Sequence, residues 1–142
     1  MTILIDSQIK EIAELLDCGE RVFINRETGK ILSHPDFDKN GYDTEFYEEI
    51  LEELENNFTD YWEVEQLSSR DSFEIMENFT NQLEDANQLK DKLYKALSNK
   101  KPFANFKFQI DNSGIYRQEW FDFKNEQLKK WVLEKYNEEK KH

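Results

Sequence analysis

Ile9, Ile12, Ala13 and Leu16 recur at i, i+3, i+4 and i+7, the spacing of one face of an amphipathic helix. That helix is predicted to end at Gly19. Arg21–Asn25 and Lys30–Ser33 then flank Glu27-Thr28-Gly29. This is a hairpin signal, with the glycine supplying the positive φ that a tight turn needs. Pro35 closes it. Phe46, Ile50, Leu54 and Phe58 lie four apart and predict a second helix. Tyr61 to Leu67 alternates and predicts a third strand, with Trp62, Val64 and Gln66 on one face.

The second half reads as helical throughout. Asp71 and Glu74 are spaced like a capping box for a helix running through Leu83, its inner face Phe73, Met76, Phe79 and Leu83. Leu89, Leu93, Ala96 and Leu97 predict the next helix, stopped before Pro102. Phe103, Phe106 and Ile110 predict a short one, broken at Asp111-Asn112-Ser113-Gly114. A long final helix is expected from about Ile115 to Tyr136. The pattern therefore predicts an α+β fold: a small antiparallel sheet, the early hairpin plus a third strand, packed with about five to six helices. No repeat and no Pro/Gly/Ser linker interrupts the chain. A single domain over residues 1–142 is expected, with residues 137–142 fraying.

Composition changes this picture in one respect. The chain is 37% hydrophobic and 35% charged, which is polar, but 14% of it is aromatic. Large rings bury roughly 150–250 Å² each, so a core remains within reach. The start lacks a signal-peptide pattern, and no segment approaches the roughly 20 apolar residues of a membrane span. A single cysteine, Cys18, excludes a disulfide framework. A cytoplasmic protein without membrane association is expected.

Charge is distributed unevenly. Residues 36–65 carry twelve acids against Lys39 alone, whereas residues 90–142 carry thirteen lysines and arginines against eight acids. The net charge of −12 disfavours a general nucleic-acid binder. The basic tail still leaves a local phosphate-binding surface open.

The residues of the second half carry a resemblance. Met76 and Phe79 lead to Leu93-Tyr94-Lys95-Ala96-Leu97, then to Lys101-Pro102-Phe103, Phe106-Lys107, Trp120-Phe121, Phe123, Trp131 and Leu133. With the hairpin at Glu27-Thr28-Gly29, this resembles the bacterial uncharacterised protein family numbered 0158. The likeness covers roughly residues 20–35 and 60–134. It implies a shared fold and bacterial origin, and no established activity. Members often carry two arginines between the two phenylalanines, where this chain has Ala104 and Asn105. If arginines grip phosphates in relatives, the resemblance implies that the grip is lost here.

Candidate chemistry is sparse. Asp36, Asp38, Asn40, Gly41 and Tyr42 match the opening of a calcium loop. Position 8 is Asp43 rather than apolar, and position 12 is Tyr47 rather than a bidentate glutamate, so an acidic solvated turn is the favoured reading. Glu48, Glu49, Glu52 and Glu53 pair at i, i+4 like a di-metal helix, but His34 and His142 are the sole histidines. A solvated face is expected, with a charge mimic of nucleic acid as a weaker option. Cys18 ends a helix between acidic neighbours, where the helix dipole opposes a nucleophilic anion. His34 and Ser33 are adjacent on a strand and point to opposite faces, so they form no dyad. No catalytic, cofactor-binding or metal residue is assigned.

Nine aromatics between Phe103 and Tyr136 interleave with lysines. Trp120, Lys124, Leu128, Trp131 and Lys135 fall on helical spacing, so these rings are expected to be core with lysine stems draped over them. Phe103, Phe106, Trp120 and Trp131 are expected to form a structural hinge. Function is read as a binding or regulatory module with a possible protein partner. The alternatives are an enzyme using carboxylates from separate segments, and weak nucleic-acid association through the basic aromatic tail.

Overall fold

The computed structural model describes residues 3–40 and 44–141. Helix α1 is Asp6–Asp17, followed by strands β1 (Arg21–Asn25) and β2 (Ile31–His34). A single turn of helix, α2 (Phe37–Asn40), and the acidic helix α3 (Glu48–Asn56) lead to strand β3 (Tyr61–Glu63). Four helices complete the chain: α4 (Ser69–Gln82), α5 (Gln88–Leu97), α6 (Pro102–Asp111) and α7 (Tyr116–Lys140). The fold is α+β with a helical second half, as the periodicity predicts. Its chain divides into two compact units, one of residues 1–66 with 128–142 and one of residues 67–127.

The first unit is built on a three-stranded antiparallel sheet of order β2-β1-β3. Helix α1 packs on β1 and β2 with Ile9, Ile12, Ala13 and Leu16 buried. From the sheet, Val22, Ile24, Leu32, Tyr61 and Trp62 are buried, and from α7, Leu128, Val132 and Tyr136. Gly29 in the hairpin turn has φ +74°, the left-handed region that L side chains avoid. The turn has a second device. The Asn25 side-chain oxygen accepts from the amides of Glu27 (2.9 Å) and Thr28 (3.0 Å), an Asx turn. Gln8 of α1 donates to the Gly29 carbonyl at 3.2 Å and ties helix to hairpin.

Two expectations in this unit are corrected. Phe46 and Phe58 are not on one buried helical face: they are 92% and 72% exposed. Each falls in a 3-10 turn, Thr44–Tyr47 and Phe58–Asp60, and α3 between them has no fully buried residue, with Ile50, Leu51 and Leu54 half-buried. The third strand is shorter than its alternation suggests. Regular pairing stops at Glu63, although the Val64 amide still donates to the Val22 carbonyl at 2.9 Å, and Tyr61 and Trp62 are both buried.

The second unit is an all-helical cluster in which α5 packs on both α4 and α6. Met76, Phe79, Leu83, Leu89, Leu93, Ala96, Leu97, Phe106 and Ile110 form its core, edged by Phe73, Tyr116, Trp120 and Phe123. Phe79 and Phe106 both meet Trp120 edge to face, at centroid distances of 5.3 and 4.9 Å. The capping box of α4 is set one turn earlier than Asp71 and Glu74. Ser68 is the N-cap, accepting from the Asp71 amide (3.1 Å), while the Asp71 carboxylate accepts from the Ser68 amide (3.0 Å). Helix α7 runs on past Tyr136 to Lys140, and within the first unit Glu139 pairs with Arg26.

Candidate functional site

The α5–α6 hairpin concentrates the exposed chemistry of the second unit. Asn87 caps α5 by accepting from the Leu89 amide at 2.8 Å, and Pro102 opens α6 at a position where no amide is needed. Leu89, Leu93, Ala96 and Leu97 of α5 and Phe106 and Ile110 of α6 fix how the two helices face the core. Once those stripes are buried, the rest of each helix is left to solvent.

Two surfaces result. On the outer side of α6, Phe103 is 44% and Phe108 63% exposed, with Ala104 and Lys107 exposed beside them. Between α5 and α6 lies a cleft of about 190 Å³ lined by Lys92, Lys95, Ala96, Asn99, Asn105 and Gln109. Lys92, Lys95 and Ala96 fall on one face of α5, Asn99 follows in the bend after that helix, and Asn105 and Gln109 lie i, i+4 on α6, so polar side chains border the cleft from both sides.

The lysines of this hairpin differ in their partners. Lys90 is engaged: its ammonium donates to Asp85 (2.8 Å) and to the Leu83 carbonyl (2.9 Å). The Asp85 bond raises the Lys90 pKa and lowers that of Asp85. Lys107 pairs with Asp111 at 3.3 Å, and that hydrogen bond, joined by one from Arg117, holds the Asp111 carboxyl below its ordinary range. Lys92 and Lys95 have no ion pair among the described residues.

The aromatic segment therefore splits. Phe106, Trp120 and Phe123 are core, as helical spacing predicts. Phe103 is not, and joins Phe108 at the surface. Trp131 lies in the first unit, where its indole donates to the Glu65 carbonyl at 2.8 Å, so the four rings form no common hinge within either unit. Lysine stems do drape over rings: Lys124 over Phe121 at 5.0 Å and Lys135 over Trp131 at 4.4 Å. The Lys135 ammonium bonds Glu65 at 2.7 Å, and that bond raises its pKa.

The first unit holds a second cleft of about 440 Å³, bordered by Asp17, Cys18, Glu20, Arg21, Asp36, Lys39 and Glu63, among others. Arg21 grips Glu63 through two bonds of 2.9 and 2.8 Å, which raises the arginine pKa. Cys18 is exposed at the end of α1. Of the calcium-loop pattern, Asp36 borders this cleft and Asp38 is exposed in α2, while Gly41, Tyr42 and Asp43 lie outside the described residues. Among the described residues no three His, Cys, Asp or Glu side chains converge as metal ligands. On α3, Glu48, Glu49 and Glu52 are exposed, and Glu53 accepts from Asn57 (3.1 Å) and the Tyr61 hydroxyl (2.9 Å). His34 is buried between the rings of Phe23 and Phe37, its Nδ1 2.7 Å from the Pro35 carbonyl. Ser33 takes no part in that arrangement.

No described helix is long and apolar enough to cross a membrane. The features in hand define a class: an α+β protein with a small antiparallel sheet and a helical second half. The chain belongs to the Uncharacterised protein family (UPF0158), whose model matches residues 1–142. Nothing among curated proteins, and nothing among solved structures, matches it.

Proposed function

We propose that the chain is a small cytoplasmic, bacterial, single-domain binding module that engages a protein partner through the outer side of α6. The observation that supports this is the pair of exposed rings, Phe103 and Phe108, flanking Ala104 and Lys107. Exposed aromatics supply the apolar area that anchors protein interfaces, and the Lys107–Asp111 ion pair beside them gives a polar rim. A partner offering an apolar groove fits that chemistry.

The test is capture from the native host with three baits: wild type, Phe108→Asp, and Glu52→Gln on the exposed face of α3. A partner held by wild type and Glu52→Gln and lost from Phe108→Asp is the expected result. Equal retention by all three overturns the reading. The enzyme alternative draws on the first unit's cleft, where Asp17, Glu20, Asp36 and Glu63 arrive from separate segments. Glu63 there is already engaged by Arg21, which suits a structural ion pair better than a general base.

A further inference from the structure

We propose that the cleft between α5 and α6 is a binding site for a phosphoryl group, with Lys92 and Lys95 as its cationic wall and Asn99, Asn105 and Gln109 as its orienting amides. The proposal goes beyond the partner reading above. It concerns a different stripe of α6, since Asn105 and Gln109 do not share the face of Ala104, Lys107 and Phe108.

Three features carry it. First, the lining combines two ammonium groups with three carboxamides and includes no carboxylate. Every polar side chain there donates hydrogen bonds, and two carry full positive charge. Second, these donors are not spent within the protein. Lys92 and Lys95 have no ion pair among the described residues, and the Asn105 and Gln109 side chains have no hydrogen bond there. Asn99 uses only its carbonyl oxygen, accepting from the Lys101 amide at 3.4 Å, so its NH₂ remains available. Lys90 and Lys107, by contrast, are matched with Asp85 and Asp111. Third, the surrounding sequence is locally basic: residues 88–107 hold six lysines against the single acid Asp91. The local potential therefore favours an anion even though the chain as a whole is acidic.

A phosphoryl group matches this set better than a carboxylate does. It has up to three terminal oxygens and near-double negative charge, enough acceptors for two ammoniums and the amide NH₂ groups together. The amide oxygens add acceptors for hydroxyl or amino groups next to the phosphate, which directs the site to a phosphate ester over free inorganic phosphate. Such an ester comes from two sources, a small phosphorylated metabolite or the backbone of a single-stranded nucleic acid.

Titration of the ¹⁵N-labelled full chain, followed by nuclear magnetic resonance, tests the site. Inorganic phosphate, a nucleoside monophosphate and a short single-stranded oligonucleotide serve as three probes. The side-chain amide signals of Asn99, Asn105 and Gln109 should shift saturably, more tightly with an ester than with phosphate alone. Tighter binding of the monophosphate points to a metabolite, and tighter binding of the oligonucleotide to nucleic acid; both support the site. Lys92→Gln with Lys95→Gln should weaken binding roughly tenfold or more, as removal of charge-assisted bonds does. Lys100→Gln with Lys101→Gln, in the same basic stretch and outside the lining, should leave it close to wild type. Absence of saturable shifts overturns the proposal, and so does equal weakening by the two double variants, which would mean diffuse attraction. Both outcomes are independent of the Phe108→Asp capture, so the cleft and the partner face can fail separately.

Discussion

Phe106 and Phe108 sit two positions apart on α6 and have opposite fates. Phe106 is 2% exposed against Trp120, and Phe108 is 63% exposed. Truncating a buried aromatic typically costs roughly 3–5 kcal/mol, whereas an exposed one away from special features costs within about 0.5. Phe106→Ala should therefore lower the denaturant midpoint sharply and Phe108→Ala should barely move it. Comparable losses in the two variants would contradict the burial assigned to α6. Spacing along the sequence identified Phe106 and Ile110 as inward. It misassigned Phe103 because three-residue spacing from Phe106 puts it at the margin of the buried stripe, where the neighbouring element decides. Asn105 was legible only as a missing arginine, since a cleft between two helices leaves no mark in one helix's periodicity.

Asp111 supplies a pH signature at the same scale. Its folded pKa lies below the ordinary value of about 4 because Lys107, and then Arg117, hydrogen-bond the carboxylate. Stability from that arrangement is fully present above the unfolded carboxyl range and is lost as pH falls through the folded value. Lys107→Ala should move the Asp111 carboxyl titration upward toward its ordinary position, read by carboxyl-carbon chemical shifts. An unmoved titration would dissociate the pair.

Among the elements, helix interiors and the hairpin are more legible in the sequence than helix ends and the third strand. The α5 span follows directly from Leu89, Leu93, Ala96 and Leu97, because four inward positions on a ten-residue helix fix its phase. For α3, the same logic failed at both ends. Phe46 and Phe58 kept the four-residue spacing, but 3-10 turns changed the angle per residue and swung both rings outward. The α4 start shows how a neighbouring motif competes: Asp71 was read as the cap and is instead the third helical residue answering Ser68. Ser68→Ala should cost about 1 kcal/mol of unfolding free energy. Asp71→Ala should cost a comparable amount by undoing the reciprocal bond. An unchanged midpoint in both would remove the box from the stability of α4.

Taken whole, the molecule divides its charge as it divides its packing. The acidic run of residues 36–65 belongs to the sheet unit, and the α5–α6 lysines belong to the helical one. Helix α7 gives Trp120 and Phe123 to the helical unit's core, and Leu128, Val132 and Tyr136 are buried in the other. Melting either unit thus strips packing from one half of the same helix. If the chain is one cooperative domain, amide exchange in β1 and in α5 should report a single opening free energy under native conditions. Two well-separated values would mean two domains.

The discontinuity of the sheet unit also sets an order of events during synthesis. Residues 67–127 are contiguous, so the helical unit has all of its parts once Gln127 has left the ribosome. The sheet unit begins first but still lacks Leu128, Val132 and Tyr136, the indole bond of Trp131 to Glu65, and the pairing of Arg26 with Glu139. Chains usually fold from the N-terminal side as they emerge. Here α1 and the hairpin are made before residues 128–142, so Leu128, Val132 and Tyr136 join the sheet unit's core only after the whole helical unit has been synthesised.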